Sequence, residues 1–257
     1  MRDSESSFDL PDTQKSWSHD SRPGPWDVIV IGSGMGGMVA AALLAKLGRR
    51  VLVLEQHYVP GGLTHTFKRH SYQWDTGIHV VGEMTKRSVP GRLMAALTDE
   101  RLKWASLGPV YDSFHLPDGV RVDYPDNPKQ FRENLVAAFP DGSEAIDSYL
   151  RLVREVNDNL RAYYLSRAMR SSLGVITERL FARKARRFQT ATVAEVVSGL
   201  TNDPRLRMMF AAQWGDYGAT PSRASFSIQA LVSKHFLWGG YYPVGCGGRI
   251  ALELLRT

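Results

Sequence analysis

The sequence predicts an α/β protein on a doubly wound parallel sheet, with a second, largely helical domain inserted into it. Three features lead there: the run "DVIVIGSGMGG" at residues 27 to 37, an Ala- and Leu-rich stretch directly behind it, and a second apolar run, "RRVLVLE". Val28 to Ile31 reads as a short buried strand and Met35 to Leu47 as a helix stopped by Gly48. Strand, glycine turn, helix and strand within about 30 residues form one βαβ unit, and the right-handed crossover rule makes its strands parallel.

Beyond that unit, "FHLPDGVRVDYP" alternates around Pro117-Asp118-Gly119, a hairpin signal. From Pro128 the period becomes helical, in "KQFRENLVAAF" and "IDSYLRLVREVNDNLRAYYL", with Asp141 to Glu144 available to cap the second helix. Thr192 and Glu195 have capping-box spacing before "VAEVVSGL"; "DPRLRMMFAAQW" and "SRASFSIQALVSKHF" predict two more helices. The sequence ends in helix-prone "GRIALELLRT", so the last structural unit is expected to be cut short.

Composition narrows the class. With 257 residues, 43% of them hydrophobic, the chain can bury one large core or two small ones. Its longest apolar runs fall short of the roughly 20 residues a membrane-spanning helix needs. Residues 1–26 are polar and contain no apolar h-region, which predicts a disordered leader and a cytoplasmic protein. The single cysteine, Cys246, excludes an internal disulfide and a multi-cysteine metal site; no metal is expected.

The net charge of +6 is concentrated in residues 161 to 187, where Arg161, Arg167, Arg170, Arg179, Arg183, Lys184, Arg186 and Arg187 face one acid, Glu178. A solvated helix face is the plain reading. The arginines also flank Leu165, Leu173, Val175, Ile176, Leu180 and Phe181, which suits a peripheral membrane contact. No aromatic-basic groove accompanies them, so nucleic acid is not expected.

Gly32, Gly34 and Gly37 fit G-x-G-x-x-G, whose glycines give a tight exit from the strand, close approach to a pyrophosphate and close helix–sheet packing. The phosphates would sit at the start of the helix from Met35, where free N–H groups and the helix dipole favour an anion. Glu55 follows Gly37 by 18 residues and can accept from ribose hydroxyls while repelling a 2′-phosphate, so the adenosine half of FAD or NAD is favoured over NADP. The alternative is a structural turn with a solvated acid. A second glycine pair, Gly61 and Gly62, suits a longer flavin cofactor lying extended across the sheet.

"GSGMGGMVAAALLAKLGRRVLVLEQHYVPGGLTHTF" and "WDTGIHVVG", with "QWGDYG" and "GGYYPVGCGGRIA", resemble the N-terminal part of the phytoene desaturase, carotenoid isomerase and retinol saturase group of FAD-dependent oxidoreductases. The motifs are spread over nearly all of residues 27 to 257 and stand nearest the retinol saturase branch. The resemblance implies a Rossmann-like FAD-binding domain assembled from discontinuous segments, truncated here at its C-terminus, with an inserted substrate domain. The expected divisions are 1–26 for the leader, 27–110 for the N-terminal part of the FAD domain, 111–240 for the substrate domain and 241–257 for the return to the first domain.

The resemblance also implies FAD as cofactor, with NAD(P) an open choice of electron partner, and a polyene lipid, carotenoid or retinoid, as substrate. Activity would be carbon–carbon saturation or desaturation; redox-neutral cis–trans isomerisation and a non-catalytic dinucleotide-binding fragment are the alternatives. Gly32, Ser33, Gly34, Gly36 and Gly37 are the expected pyrophosphate loop, Glu55 and Gln56 the adenosine contacts, and Gly61, Gly62 and Leu63 the inner cofactor contacts. Members of the group are about twice as long, and the missing half, in cis or in trans, would complete the pocket. Where relatives commonly have a glycine pair after Tyr-Pro, this sequence has Gly245-Cys246.

No catalytic residue is assigned. His65, His79, Asp216 and Tyr217 are candidates for moving a proton, each with a structural reading beside it, since a histidine next to a glycine turn often only bonds backbone. His235 reads as a packing residue. The aromatics Phe236, Trp238, Tyr241 and Tyr242 read equally as a tunnel for an isoprenoid chain or as core.

Overall fold

The computed structural model describes residues 24–168 and 186–257. In chain order the elements are β1 (Val28–Ile31), α1 (Met35–Lys46), β2 (Val51–Leu54), β3 (Thr66–Arg69), β4 (Tyr72–Asp75), β5 (Val81–Gly82), α2 (Val89–Leu97), β6 (Trp104–Ser106), β7 (Val110–His115), β8 (Arg121–Pro125), α3 (Pro128–Ala138), α4 (Ser143–Ala168), α5 (Val193–Leu200), α6 (Pro204–Ala211), α7 (Phe226–Phe236), β9 (Gly240–Pro243) and α8 (Gly248–Leu255). Most of the leader and the centre of the basic segment, from Arg170 through Glu178, Arg179 and Arg183 to Lys184 with its apolar neighbours Leu173, Val175, Ile176, Leu180 and Phe181, lie outside the described residues.

The chain divides into two compact units. One takes in the described residues up to Ser106 together with Tyr241–Thr257; the other is Leu107–Gly240.

In the first unit β1 and β2 pair in parallel, Val28 with Val51 through Ile31 with Leu54, and α1 crosses between them. Gly48, at φ +76, ends α1 as its sequence position predicts. The strand is not buried as expected: Ile29 is 55% exposed and Ile31 87%. A strand presents alternate side chains to opposite faces, and α1 covers only the face that bears Val28 and Val30. On the covered side Met38 and Ala42 of α1 pack with Met94 and Leu97 of α2 and with Ile250 and Leu254 of α8.

β9 runs between β5 and β6, pairing antiparallel with β6 so that Trp104 faces Pro243. This return segment brings in α8, whose Glu253 is fully buried and held by Arg101, Arg249 and Arg256 at 2.7 to 3.0 Å. Three guanidinium groups around one carboxylate satisfy a charge that would be costly to bury alone.

The second unit is a hairpin packed on helices. β7 and β8 flank the turn foreseen at Pro117–Gly119, with Leu116 and Val120 closing it at 2.8 Å. Three helix starts are written into the sequence: Asn127 accepts from Lys129 and Gln130, Asp203 accepts from Arg205 and Leu206, and Thr192 and Glu195 form both halves of a capping box. A 3₁₀ turn, Pro140–Gly142, leads into α4. Along α4, Ile146, Tyr149, Leu150, Val153 and Val156 recur at helical spacing and form the floor of the core.

Tyr149 stacks on Phe210 with ring centroids 4.3 Å apart, and its hydroxyl meets Phe210 O, Ser233 and Gln229 in a buried polar network. Ile146 is fully buried in this core. Ile146→Ala should cost about 2–5 kcal/mol in a denaturant melt of this unit, through lost transfer energy and the cavity left behind.

Candidate cofactor-binding site

β1 delivers the chain to Gly32, whose φ of +92 a side chain would strain and whose N–H closes the parallel ladder on Leu54 O at 2.7 Å. Gly34 then caps α1 with φ −64 and ψ 172, a conformation open to any residue. No side chain caps the helix and no acid lies in its first turn, so its leading N–H groups have no side-chain acceptor. A β-carbon built on Gly34 or Gly36 would meet nothing within 4 Å. The protein itself gives no steric reason for glycine at 34, whereas a diphosphate drawn close to the amides would. At Gly37 the reason is internal: a β-carbon would overlap the carbonyl oxygen of Gly32.

Glu55 directly follows β2 and turns back to this loop. Its Oε2 accepts from Ser33 N at 2.7 Å and Ser33 Oγ at 2.5 Å, and its Oε1 accepts from His57 N at 2.9 Å. The Ser33 hydroxyl is the main cause that holds the carboxyl pKa down at about 2. That hydroxyl, on a residue 1% exposed, also accepts from Gly61 N at 3.0 Å. Gly61 and Gly62 both have positive φ, and a β-carbon on Gly62 would come within 2.9 Å of Gly34 Cα. The two glycine turns therefore lie against each other, joined through Ser33. Gln56 is exposed beside them, and Leu63 is 73% exposed.

His65 Nδ1 lies 2.5 Å from Gly62 O and must carry the ring proton; Nε2 then accepts from Thr76 Oγ1 at 3.0 Å. Both nitrogens are engaged in holding the second turn. His79 is exposed in the first unit. Asp216 and Tyr217 belong to the second, where Tyr217 donates to Gln229 Oε1 at 2.7 Å and burial pushes its phenol up to about 12. Of the aromatic cluster, Phe236 is buried in the second unit's core while Trp238 is 56% exposed, and Tyr241 and Tyr242 belong to the first unit.

Asp75 stands inside the quoted "WDTGIHVVG", where no role is assigned to it. Its Oδ1 accepts from Gly247 N at 3.0 Å and its Oδ2 from the Tyr242 hydroxyl, which ties β4 to the segment entering α8. Burial, then this bond, raises the Tyr242 phenol well above its usual range. Cys246, the departure in the glycine run, sits at φ +75, a conformation that favours glycine, and its Sγ accepts from Gln73 Nε2 at 2.8 Å. The signal for Asp75 in sequence is its place in "WDTGIHVVG", which does not say that its partners come from Tyr242 and Gly247. Among the described residues no group of three or more His, Cys, Asp or Glu is placed to hold a metal ion.

The model of a family described as NAD(P)-binding Rossmann-like domain matches residues 30–94. Human all-trans-retinol 13,14-reductase is 35% identical over 94% of this chain and 41% of its own length. Prolycopene isomerase 2 of an Oncidium hybrid cultivar is 29% identical over 89% of this chain and 40% of its own. The chain thus spans about two-fifths of the length of the curated relatives it matches. Among solved structures, cyclohexylamine oxidase from Brevibacterium oxydans superposes with a TM-score of 0.55 at 18% identity, over 91% of this chain and 49% of that one. At that identity the likeness establishes the fold.

Gly37→Ala should destabilise the first unit by about 1–3 kcal/mol in a thermal or denaturant melt, because backbone must move to admit the methyl. Glu55 adds a pH signature. Its folded pKa lies below the ordinary 4.5, so its stabilisation is complete above that value and is lost as pH falls towards 2. Glu55→Gln should therefore lower Tm at pH 7, and the gap to the parent should narrow between pH 4.5 and 2.

Proposed function

The chain is a relative of the N-terminal part of the all-trans-retinol 13,14-reductases, and from that premise we propose that it forms the nucleotide-binding part of an FAD-dependent oxidoreductase acting on carbon–carbon double bonds of a polyene lipid. The observation that carries the cofactor assignment is the bare helix start at Gly34, with open space where any other residue would place a β-carbon. In this reading the amides from Gly34 to Gly37 hold the diphosphate. Ser33 fixes Glu55 through Oε2, and in this reading Oε1, which accepts from His57 N, also meets a ribose hydroxyl. Gly61, Gly62 and Leu63 continue the contact line, and Gln56 stands at the adenosine end.

Bound there, FAD supplies two-electron transfer to or from a carbon–carbon bond. The chain's own residues bind and orient it. Ser33 and His65 lock the two glycine turns, and Asp75 locks the return segment. The second unit, with its hairpin on a helical floor, is the proposed substrate domain. The exposed Ile29 and Ile31 face is where we place further polypeptide, corresponding to the part of the relatives that this chain does not span.

A second reading, redox-neutral polyene isomerisation, is favoured by the match to prolycopene isomerase. Product mass separates the two, because isomerisation neither adds nor removes hydrogen. No described helix is long and apolar enough to cross a membrane. We place the protein in the cytoplasm with a peripheral lipid contact, supported by Tyr164 and Leu165, 59% and 62% exposed between Arg161 and Arg167.

Gly34→Val tests the cofactor placement. A β-carbon at this position meets nothing within 4 Å, so far-UV circular dichroism should be unchanged, while FAD titration followed by visible absorbance should show the variant binding at least about tenfold more weakly than the parent. Equal binding by the two proteins would remove the diphosphate from this loop.

A further inference from the structure

A cavity of about 770 Å³ in the first unit shares no residue with the glycine turns or Glu55. One wall is a single face of α2, since Arg92, Ala95 and Ala96 stand at positions i, i+3 and i+4, with Asp99 just beyond the end of the helix. The alanines create the space. Met94 and Leu97, on the other face of the helix, are buried in the core, so the helix is anchored from behind. Trp104 of β6 and Tyr241 of β9 supply aromatic surface, and Met84 and Leu102 extend the apolar lining.

The charges around this apolar lining are unbalanced. Asp99 is already engaged by Lys46 and Arg101. Lys86, Arg92 and Lys103 are exposed and form no ion pair with any described residue, and Glu100 is the other acid lining the space. The surplus is two positive charges over a greasy surface of a size that holds small organic ligands. We propose that this cavity binds a single-chain amphiphile with an anionic head, carboxylate or phosphate, its chain along Ala95, Ala96 and Trp104 and its head among the three cations. The hydrocarbon supplies burial, and the unpaired cations select for charge.

The test uses laurate, dodecyl phosphate and dodecanol, each below its aggregation concentration, titrated calorimetrically into the whole chain. Both anions should bind about tenfold more tightly than dodecanol. The triple variant Lys86→Ala, Arg92→Ala, Lys103→Ala should lose that preference while still binding dodecanol. Ala96→Trp, at an exposed helix position, should fill the space and weaken all three ligands. The order of laurate and dodecyl phosphate identifies which head group is preferred. Gly34→Val should leave laurate binding unchanged, which separates this site from the cofactor loop. Absence of binding, equal affinity for alcohol and anion, or a preference that survives the triple substitution would overturn the proposal.

Discussion

The hydroxyl of Ser33 is where three stretches of chain meet: the turn after β1, the end of β2 and the second glycine pair. It donates to Glu55 and accepts from Gly61, so its rotor is fixed and both lone partners are satisfied in a nearly inaccessible place. Buried polar groups are costly when unpaired, and here the pairing also sets the spacing of the two turns. Gly62 can lie against Gly34 only because Gly62 has no side chain. Everything that follows in the first unit, from the His65 brace to the placement of β3, starts from that fixed point.

Asp75 plays the matching part at the other end. It receives Tyr242 and Gly247 from a segment far along the chain and thereby positions the N-terminus of α8, whose apolar face completes the core under α1 and α2. The site loop and the return segment are thus held by short polar side chains, and the bulk of the burial lies in the helices behind them. Such an arrangement leaves the glycine amides facing outward on a rigid support.

Local features were legible in the sequence because each is written within a few residues. The capping box at Thr192 and Glu195, the hairpin at Pro117–Gly119 and the αL stop at Gly48 need no distant partner. The spacing of Gly37 and Glu55 likewise announced that the acid comes near the loop, though not that Ser33 would hold it. What could not be read was long-range: the pairing of Trp104 with Pro243, the Asp75 clasp, and the uncovered face of β1. An apolar run such as "VIVI" has no alternation, so it gives no sign of which side a helix will cover. The α2 cavity was not legible for a similar reason, since the adjacent Ala95 and Ala96 are ordinary helix formers until β6 and β9 stand opposite them.

The discontinuity of the first unit bears on how the protein is made. The second unit, Leu107–Gly240, is one continuous stretch, so even its distant pairs, such as Tyr124 with Met209, are complete once that stretch has left the ribosome. Strand β6, by contrast, must wait for β9, and α1 must wait for α8, before their partners exist. During synthesis the first unit's segment up to Ser106 is therefore completed only after the second unit, and its apolar helix faces stay open for longer than those of the domain translated after it.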